Sequence, residues 1–405
     1  MHHFRAIERD IDFLLPPSVQ EWLPEAHLAR YVVEVIDALE LREMERAYAG
    51  RGSAAYHPAM LLALLVYGYA TGGFSSRKME RATYDSLAFR FIAANSHPDQ
   101  DTLARFRRCF TKEIEASFVE VLQVARENRL ARFGTLSLDG TKIHASASRH
   151  SALSYGHAEA IEAQLKAEVQ ELLALAEQAD YHARLAARAA KTPRGRKPGG
   201  KPPKPPTPGP RPEEQINLTD EQSRIMPVAG GGFEQCYNAQ AVVDAESMRV
   251  VVAQVVQATN DNQQVVPILK RLPEQPEDLP NPQVLLADSG FFSEANVAAC
   301  EAAGIEPLIA LARDEHPPHW SERFAEPAPP PPQATALQRM AQRLKTHAGR
   351  ASYALRKQSV EPVFAIIKSV MGFRQFLTRG LANVHNEWTL VCLAWNLKRM
   401  AVLRL

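Results

Sequence analysis

Three acidic residues of the sequence stand where a protein could bind metal ions. Asp139 lies in LSLDGTKIH, where Leu136 and Leu138 alternate with polar residues as in a strand. Asp288 ends the apolar run VLLA, and the carboxyl ends of buried strands are where open α/β sheets bind ligands and metals. Glu361 flanks a stripe of apolar residues at helical spacing. Because hard divalent cations prefer carboxylate oxygens, these acids are candidate metal ligands.

The chemistry that such acids would support is cleavage and transesterification of phosphodiesters. Two Mg²⁺ ions about 3.5–4 Å apart can generate the nucleophile and stabilise the leaving oxygen, and Mn²⁺ is expected to substitute. Two acids from neighbouring strands and one from a helix would be sufficient, with substrate phosphate supplying further oxygens. Positioning and charge stabilisation would then carry the catalysis without a protein nucleophile.

Each acid taken alone also has an ordinary structural interpretation. An aspartate at a strand end is usually a turn former or a helix cap, and a helix glutamate is usually solvated or ion-paired. Asp244, which ends the apolar run AVVD, competes with the other aspartates because it has the same geometry. Spacing alone does not choose between Asp139, Asp244 and Asp288.

The position of Pro362 predicts how Glu361 is presented. Proline is compatible with a helix only in its first turn, so we expect the helix to begin near Val360 and to carry Glu361 at its N-terminus. Lys357 and Lys368 project to nearly the same side as Glu361 on a continuous helix. The proximity of Lys357 to Glu361 then depends on the local turn.

The middle of the chain predicts an α/β core that would position these acids. The runs CYNAQAVVDAE and RVVVAQVVQ predict two strands joined by a short turn at residues 246–247, which indicates a mixed sheet. The runs VLLA and IEPLIAL predict two further strands. NDNQQVVPILKRL and residues 293–303 predict helices between them.

The first 130 residues predict several short helices. One follows Pro24, one begins at Pro58 and stops at Gly72, and one covers RKMERATYDSLAFRFIAA after a cap at Ser75 or Ser76. A last short helix is expected after a cap at Asp99 or Asp101. The later helices carry a cluster of basic residues: Arg77, Lys78, Arg81, Arg105, Arg107 and Arg108. A helical DNA-binding module and a bundle with solvated basic faces both remain open.

Residues 155–190 predict a long helix, and a proline-rich basic segment follows it. Proline at the density of KTPRGRKPGGKPPKPPTPGPRP predicts an extended loop. Residues 188–212 contain eight basic residues and no acid: Arg188, Lys191, Arg194, Arg196, Lys197, Lys201, Lys204 and Arg211. The segment is either a solvated linker or an arm that contacts phosphates, and the lack of acids favours the arm, with Arg194, Arg196 and Lys197 as candidate DNA contacts.

Charge and cysteine usage narrow the class of protein. The net charge is only +1, but from Arg339 onward twelve lysines and arginines face two acids, as a DNA-binding face requires. The four cysteines lie far apart, which argues against a zinc site or a disulfide framework and favours the cytosol. The longest apolar stretch, residues 59–70, is too short for a membrane span of roughly 20 residues.

Six motifs in order resemble bacterial insertion-sequence transposases with the YREK signature. They are LSLDGTKIHASAS, NLTDEQSRIM, YNAQAVVDAE, VLLADSGFFS, VEPVFAIIKSVMGFRQFLTRG and EWTLVCLAWNLKRM. The N-terminal stretches YHPAMLLALLVYGYATGGFSSRKMERA and PDQDTLARFRR look like the helical N-terminal domain of that family, so the resemblance covers nearly the whole chain. It implies an RNase H-like core with a mixed five-stranded sheet. It also implies a DDE triad of Asp139, Asp288 and Glu361, with Asp244 in a supporting role.

The Tyr-x2-Arg-x3-Glu-x6-Lys pattern of that family is only partly kept. The spacing from Glu361 to Lys368 is intact, and Lys357 occupies the position of the arginine, preceded by Arg356. Tyr353 is one step off the strict spacing to Glu361. The resemblance therefore makes Lys368 the firmest DNA-phosphate contact, with Lys357, Arg356 and Tyr353 as further candidates.

The resemblance also implies a domain plan and a reaction. Residues 1–130 would form a helical DNA-binding and assembly domain, and residues 131–405 the catalytic domain, with residues 150–232 inserted between its first two strands. The expected reaction is metal-dependent cleavage at the ends of a mobile element and strand transfer into target DNA. Joining two inverted-repeat ends implies a homodimer or larger assembly on double-stranded DNA in the bacterial cytoplasm, at the nucleoid. The alternatives are a nuclease or resolvase that does not join strands, and an inactive DNA-binding relic.

Overall fold

The computed structural model describes residues 18–48, 54–130, 133–148, 152–154, 215–228, 230–272, 282–311 and 325–404, with isolated positions between 174 and 182. The described helices are α1 (Val19–Trp22), α2 (Leu28–Asp37), α3 (Arg42–Arg46), α4 (Pro58–Ala70), α5 (Ser76–Asp85), α6 (Leu87–Ile92), α7 (Gln100–Cys109), α8 (Thr111–Glu127), α9 (Val265–Arg271), α10 (Glu294–Ala302), α11 (Ala336–Lys345), α12 (His347–Gln358), α13 (Val360–Ala365) and α14 (Leu381–Leu403). The described strands are β1 (Thr135–His144), β2 (Ala152–Ser154), β3 (Gln215–Asn217), β4 (Arg224–Pro227), β5 (Phe233–Asp244), β6 (Val250–Val256), β7 (Val284–Ala287) and β8 (Glu306–Ile309).

A mixed sheet built around β1 forms the α/β core. β1 pairs antiparallel with β5 and parallel with β7, β7 pairs parallel with β8, and β6 pairs antiparallel with β5. The predicted strand pair, the two later strands and the two helices between them are confirmed. The fold is the RNase H-like α/β core with a helical N-terminal region that the resemblance implied.

The sheet contains one strand more than the five that were expected. The short strand β4 pairs with residues 233–236 of β5, whereas β6 pairs with residues 238–243 on the same edge. β5 is long enough to accept both partners side by side, which is why a sixth strand joins the sheet. The described residues also include a separate pairing of β2 with β3.

The lengths of β1 and β7 determine where the sheet opens. Ala287, the last residue of β7, pairs with Leu138, so β1 continues past Asp139 without that parallel neighbour. Ser137, which alternation placed on a polar face, is fully buried because β1 is a central strand covered on both faces. Asp139 is therefore the first residue of β1 to lie beside the open end of β7.

The C-terminal helices cover the core sheet. Trp388 of α14 is fully buried and donates a hydrogen bond from Nε1 to the backbone oxygen of Gln240 on β5 at 3.0 Å. The ring of Phe364 stacks against Trp388 with 6.2 Å between centroids. Trp395 is also buried. The core-packing interpretation of the C-terminal tryptophans is confirmed.

The N-terminal helices confirm most of the predicted boundaries. Pro58 occupies the first turn of α4, and all of α4 except Met60 is buried. Asp99 caps α7, where its side chain accepts a hydrogen bond from the backbone N–H of Thr102 at 2.7 Å. Ser75 is the N-cap residue of α5, although its side chain makes no capping hydrogen bond.

The helix expected over RKMERATYDSLAFRFIAA is instead two helices. Ser86 is extended, with φ −108° and ψ 125°, and separates α5 from α6. On one straight helix, Ala88 and Ile92 would face away from Met79 and Thr83. The break at Ser86 allows both pairs of side chains to be buried.

Arg107 does not belong to the exposed basic cluster that was predicted on the N-terminal helices. Its side chain is buried, and Nη1 donates a hydrogen bond to the Tyr69 hydroxyl at 2.6 Å. The other members are exposed on α5 and α7: Arg77, Lys78, Arg81, Arg105 and Arg108. Helix periodicity places Arg107 on the inner face of α7, beside Leu103.

The chain divides into two compact units. One comprises Met1–Val124 together with Leu393–Leu405, and the other comprises Ala125–Cys392 and contains the mixed sheet. Among the described residues, no helix combines the length and the apolar character needed to cross a membrane.

Candidate active site

Three acids from three different elements meet around one guanidinium, that of Arg356 on α12. Nη2 of Arg356 lies 3.0 Å from Oδ2 of Asp139 and 3.7 Å from Oδ2 of Asp288. Nη1 of Arg356 lies 2.8 Å from Oε1 of Glu361. The structure therefore brings together the three acids that the resemblance singled out.

The two aspartates present their oxygens to this centre in the same way. Oδ1 of Asp139 accepts a hydrogen bond from the backbone N–H of Gly140 at 2.8 Å. Oδ1 of Asp288 accepts one from Gly290 at 2.8 Å, as the cap of a 3₁₀ turn at Ser289–Phe291. Each carboxylate thus uses one oxygen to fix its orientation and turns the other toward Arg356.

A break between α12 and α13 positions Glu361. α13 begins at Val360, as Pro362 predicted, and Ser359 has non-helical angles of φ −115° and ψ −81°. The Ser359 hydroxyl donates to the backbone oxygen of Leu355 at 2.8 Å. Glu361 consequently lies in the first turn of α13, directly opposite the end of α12.

The same break decides which basic residue faces Glu361. Lys357 has the spacing of the family arginine, but its side chain is exposed. Arg356 forms the ion pair instead, because the non-helical Ser359 adds one residue between the two helices. The sequence left the proximity of Lys357 to Glu361 to the local turn, and the structure places the two residues on separate helices, with Arg356 facing Glu361.

Lys368 and Tyr353 border the acids. Nζ of Lys368 donates to the Thr141 hydroxyl and to the backbone oxygen of Lys142, the latter at 3.0 Å. Burial lowers the pKa of Lys368. Tyr353 is half-buried, and burial raises its pKa. The charge of Arg356 lowers this pKa, and the charges of the three acids raise it. Both residues therefore lie beside the site.

Burial and charge set the protonation of Asp139. The pKa of Asp139 is raised to about 6, because the effect of burial, which raises it, exceeds that of the Arg356 guanidinium, which lowers it. The side chains of Arg356 and Asp139 are 11% and 16% exposed, against 39% for Asp288 and 46% for Glu361. The site is therefore closed around Asp139 and open to solvent on the side of Asp288 and Glu361.

Asp244, the competing aspartate, lies apart from this centre. It pairs across the sheet with Leu136, near the start of β1. Its Oδ2 accepts hydrogen bonds from the backbone N–H of Ser247 at 3.1 Å and from the Ser247 hydroxyl. Asp244 is thus a turn former in the link between β5 and β6.

Asp261 is an acid at the site that motif spacing did not identify. It lies between β6 and α9, and its Oδ1 accepts hydrogen bonds from Asn238 at 2.7 Å and Gln240 at 2.6 Å. Lys142 on β1 lies 3.8 Å from the same oxygen. The only signal in the sequence was the pair of amide residues inside the apolar strand YNAQAVVD, which required a polar partner.

The donor set suits a divalent cation, although its present arrangement does not. Carboxylate oxygens are the ligands that Mg²⁺ and Mn²⁺ prefer. Among the described residues, no group of three or more acids, histidines or cysteines lies close enough to hold a metal ion. The positively charged Arg356 guanidinium lies between the three acids. The donor chemistry of the three acids therefore fits a divalent cation, while the space between them holds a guanidinium.

The predicted basic arm, with Arg194, Arg196 and Lys197, lies outside the described residues. Of the long helix expected over residues 155–190, the structure describes only positions 174, 175, 177, 178, 181 and 182, and these are helical.

Comparison with protein families identifies the chain. A family model described as a transposase DDE domain matches residues 206–397, and one described as a transposase domain (DUF772) matches residues 17–109. The chain belongs to the insertion-sequence DDE transposases. Proteins of this family act on DNA and normally use divalent metal ions. No curated protein and no solved structure matches the transposase.

The matched segments cover two of the three acids. Asp288 and Glu361 lie within the DDE match, which starts after Asp139. Asp139 is connected to that match by the sheet, because β1 pairs with both β5 and β7.

Proposed function

We propose that this transposase binds divalent cations, Mg²⁺ in the cell, through Asp139, Asp288 and Glu361, and uses them to cut and join DNA. The observation that carries the proposal is the meeting of these three acids around one positive group. Each acid comes from a different element, and each turns an oxygen toward the Arg356 guanidinium. An arrangement that surrounds one cation in this way is suited to hold a metal ion in its place.

The reaction would consist of two displacements at phosphorus. In the first, a water oxygen attacks a phosphate at the element end, and the bond to the 3′ oxygen breaks to leave a 3′-hydroxyl and a 5′-phosphate. In the second, that 3′-hydroxyl attacks a target phosphate and displaces the target 3′ oxygen. Bound divalent cations supply activation of the attacking oxygen and stabilisation of the leaving oxygen.

Arg356 would change partners during the cycle. Without a cation its guanidinium balances the three carboxylates, and its position beside Asp139 is close to where the scissile phosphate must lie. When cations bind, the released guanidinium can form a bidentate pair with a DNA phosphate. In this proposal Arg356 keeps the carboxylates from repelling one another before DNA and metal arrive.

Neighbouring basic and aromatic side chains would hold the DNA backbone. Lys368 donates to Thr141, two residues beyond Asp139, so a phosphate held by Lys368 would lie next to the first acid. Tyr353 and the exposed Lys357 would contact the strand on the α12 side. The proline-rich arm with Arg194, Arg196 and Lys197 would add contacts of the same electrostatic kind.

The two domains would have different roles, one in DNA binding and the other in the chemical reaction. We propose that the helical domain of residues 1–130 binds DNA and supports assembly, since α5 and α7 expose five basic side chains. The domain of residues 131–405 would carry the chemistry, with residues 150–232 as its insertion. Joining two inverted-repeat ends would require a homodimer or a larger assembly on the DNA.

The test is joining of DNA from the ends of the element by purified protein in Mg²⁺. We expect wild-type protein to give joined products and Glu361→Gln to give none, because the amide keeps the shape and removes the charge. Asp244→Asn is the control for a strand-end acid and should retain joining, provided that circular dichroism shows it folded. Cutting without joining would indicate a nuclease, and binding without cutting in Mg²⁺ or Mn²⁺ would indicate an inactive relic.

A further inference from the structure

The Asp261 carboxylate, from the connection between β6 and α9, packs against Gly140 of β1, next to Asp139, and three side chains fix it there. Asn238 and Gln240 donate to its Oδ1, and the Lys142 ammonium lies 3.8 Å from the same oxygen. Among the described residues, no hydrogen-bond donor reaches Oδ2. One oxygen of Asp261 is therefore held rigidly while the other is available.

Gly140 provides the space that Asp261 occupies. A Cβ added to Gly140 would lie 2.4 Å from Nε2 of Gln240 and 2.8 Å from Oδ1 of Asp261. Real Cβ atoms do not approach other atoms so closely, so any side chain here would displace the carboxylate. The absence of a side chain next to Asp139 is what allows a further acid to reach the backbone of β1.

Two buried amides donate hydrogen bonds to this carboxylate. Asn238 and Gln240 are fully buried, and neither Oδ1 of Asn238 nor Oε1 of Gln240 has a hydrogen-bond partner among the described residues. Burying an amide oxygen without a partner is costly. Oδ1 of Asn238 lies 3.0 Å from the point where a Gly140 Cβ would stand, so it faces the same space as Asp261. Both amides thus direct N–H groups toward one carboxylate, while their own oxygens have no hydrogen-bond partner among the described residues.

The free oxygen of Asp261 faces Asp288 across a small gap at Gly290. A Cβ added to Gly290 would lie 3.0 Å from Oδ1 of Asp288 and 3.9 Å from Oδ2 of Asp261. A single methyl group would therefore nearly bridge the two carboxylates. Both oxygens lie within 4 Å of that one point, so a cation near it would offset the repulsion between the two negative charges.

We propose that Asp261 is a fourth acid of the active site, which helps to bind a divalent cation held by Asp288. The inference rests on the proposed function of the Asp139, Asp288 and Glu361 carboxylates. Mg²⁺ usually keeps several of its waters in a protein site. Asp261 accepts hydrogen bonds from those waters with Oδ2, while Asn238, Gln240 and Lys142 hold Oδ1 in place. Asp261 is in this sense a positioning residue that acts through the cation and its waters.

Binding of Mn²⁺ alone to the whole protein tests this inference without any DNA reaction. Free Mn²⁺ gives a paramagnetic resonance signal that disappears on binding, so a titration yields the affinity. We expect Asp288→Asn to abolish binding and Asp261→Asn to weaken it about 10- to 100-fold, as for residues that orient metal ligands. The exposed Glu221 of the same unit provides the control, and Glu221→Gln should bind Mn²⁺ like wild type.

The outcomes separate the two proposals. If Asp261→Asn binds Mn²⁺ like wild type while Asp288→Asn does not, the role of Asp261 is refuted and the proposed function stands. If Asp288→Asn also binds like wild type, the proposed metal site itself is wrong. Should Asp261→Asn fail to fold, Gly290→Ala decides, because it places a methyl group in the gap without changing any charge. Unchanged Mn²⁺ affinity in folded Gly290→Ala would overturn the inference.

Discussion

At the scale of single residues, the site depends on how three carboxylates share one positive charge. Arg356 is largely buried beside Asp139, and it contacts the more exposed Asp288 and Glu361 on its other sides. A metal ion that binds these acids has to displace the guanidinium. The protein without metal and the protein with metal therefore differ in the position of one side chain at least.

Removing this guanidinium should separate metal affinity from activity. We expect Arg356→Ala to bind Mn²⁺ about fivefold more tightly in the absence of DNA. The ion pairs of Arg356 with the three acids compete with Mn²⁺ in the wild type, and such partly exposed pairs contribute roughly 1 kcal/mol. Strand transfer should fall by about 100-fold or more, as when one preorganised donor is lost. Mn²⁺ titration and a joining assay measure the two effects, with Gln358→Ala, at an exposed residue of the same helix, as control. Weaker Mn²⁺ binding in Arg356→Ala would contradict competition between the two cations.

Lys368 should contribute one phosphate contact. We expect Lys368→Met, which keeps length but removes charge, to weaken binding to element-end DNA and to lower the slope of log affinity against log salt by about one. Fluorescence anisotropy at several salt concentrations measures that slope. Lys270→Met, at an exposed lysine on α9, is the comparison. An unchanged slope would remove Lys368 from the DNA contacts.

At the scale of elements, glycine and proline place the acids. Pro362 prevents α12 from continuing into α13, so Glu361 lies at the start of a helix. The early end of β7 opens the sheet beside Asp139. Gly140 then leaves room on β1 for the side chains of Gln240 and Asp261.

Gly140 should be intolerant of even a methyl group. We expect Gly140→Ala to lower the free energy of unfolding by about 1–3 kcal/mol, because the side chains it meets are held in a hydrogen-bonded network and cannot give way. Chemical denaturation measures the loss. Gly134→Ala is a matched control just before β1, since no atom lies within 4 Å of the added Cβ. Equal stability of the two variants would show that the network around Asp261 is loosely packed.

The sequence predicted the elements better than the contacts between them. The strands of the core and the start of α13 followed from apolar patterns and from Pro362. The break at Ser86 and the short strand β4 did not, because they depend on burial by distant elements. Asp261 was missed for the same reason, since it lies in the connection after β6 and its partners Asn238 and Gln240 lie on β5. Periodicity within one segment cannot reveal such contacts.

At the scale of the whole molecule, the three acids of the candidate site and the exposed basic side chains of α5 and α7 belong to different units. The sheet with the acids lies in Ala125–Cys392, and the exposed arginines of α5 and α7 lie in Met1–Val124. The net charge of +1 does not reveal these basic side chains, because acids elsewhere in the chain balance them. In the proposed function, the transposase binds DNA with one unit and cuts it with the other.

The basic surface of the N-terminal unit should affect DNA binding and not metal binding. We expect the double variant Arg105→Ala/Arg108→Ala to weaken binding to element-end DNA and to reduce the salt slope by about two. Its Mn²⁺ affinity should equal that of wild type, which a titration without DNA establishes. An unaltered DNA affinity would favour the alternative of a merely solvated basic face.

The most direct test of metal catalysis by the three acids is a change of ligand at Asp288. Asp288→Cys replaces a hard carboxylate with a thiolate, which binds Mg²⁺ poorly and softer ions such as Cd²⁺ well. Joining of element-end DNA is measured in Mg²⁺ alone and in Mg²⁺ supplemented with Cd²⁺, with Asp288→Ala in parallel. We expect no joining by either variant in Mg²⁺, and recovery with Cd²⁺ in Asp288→Cys alone. Joining by Asp288→Cys and Asp288→Ala in Mg²⁺ at the wild-type rate would contradict metal binding at this position.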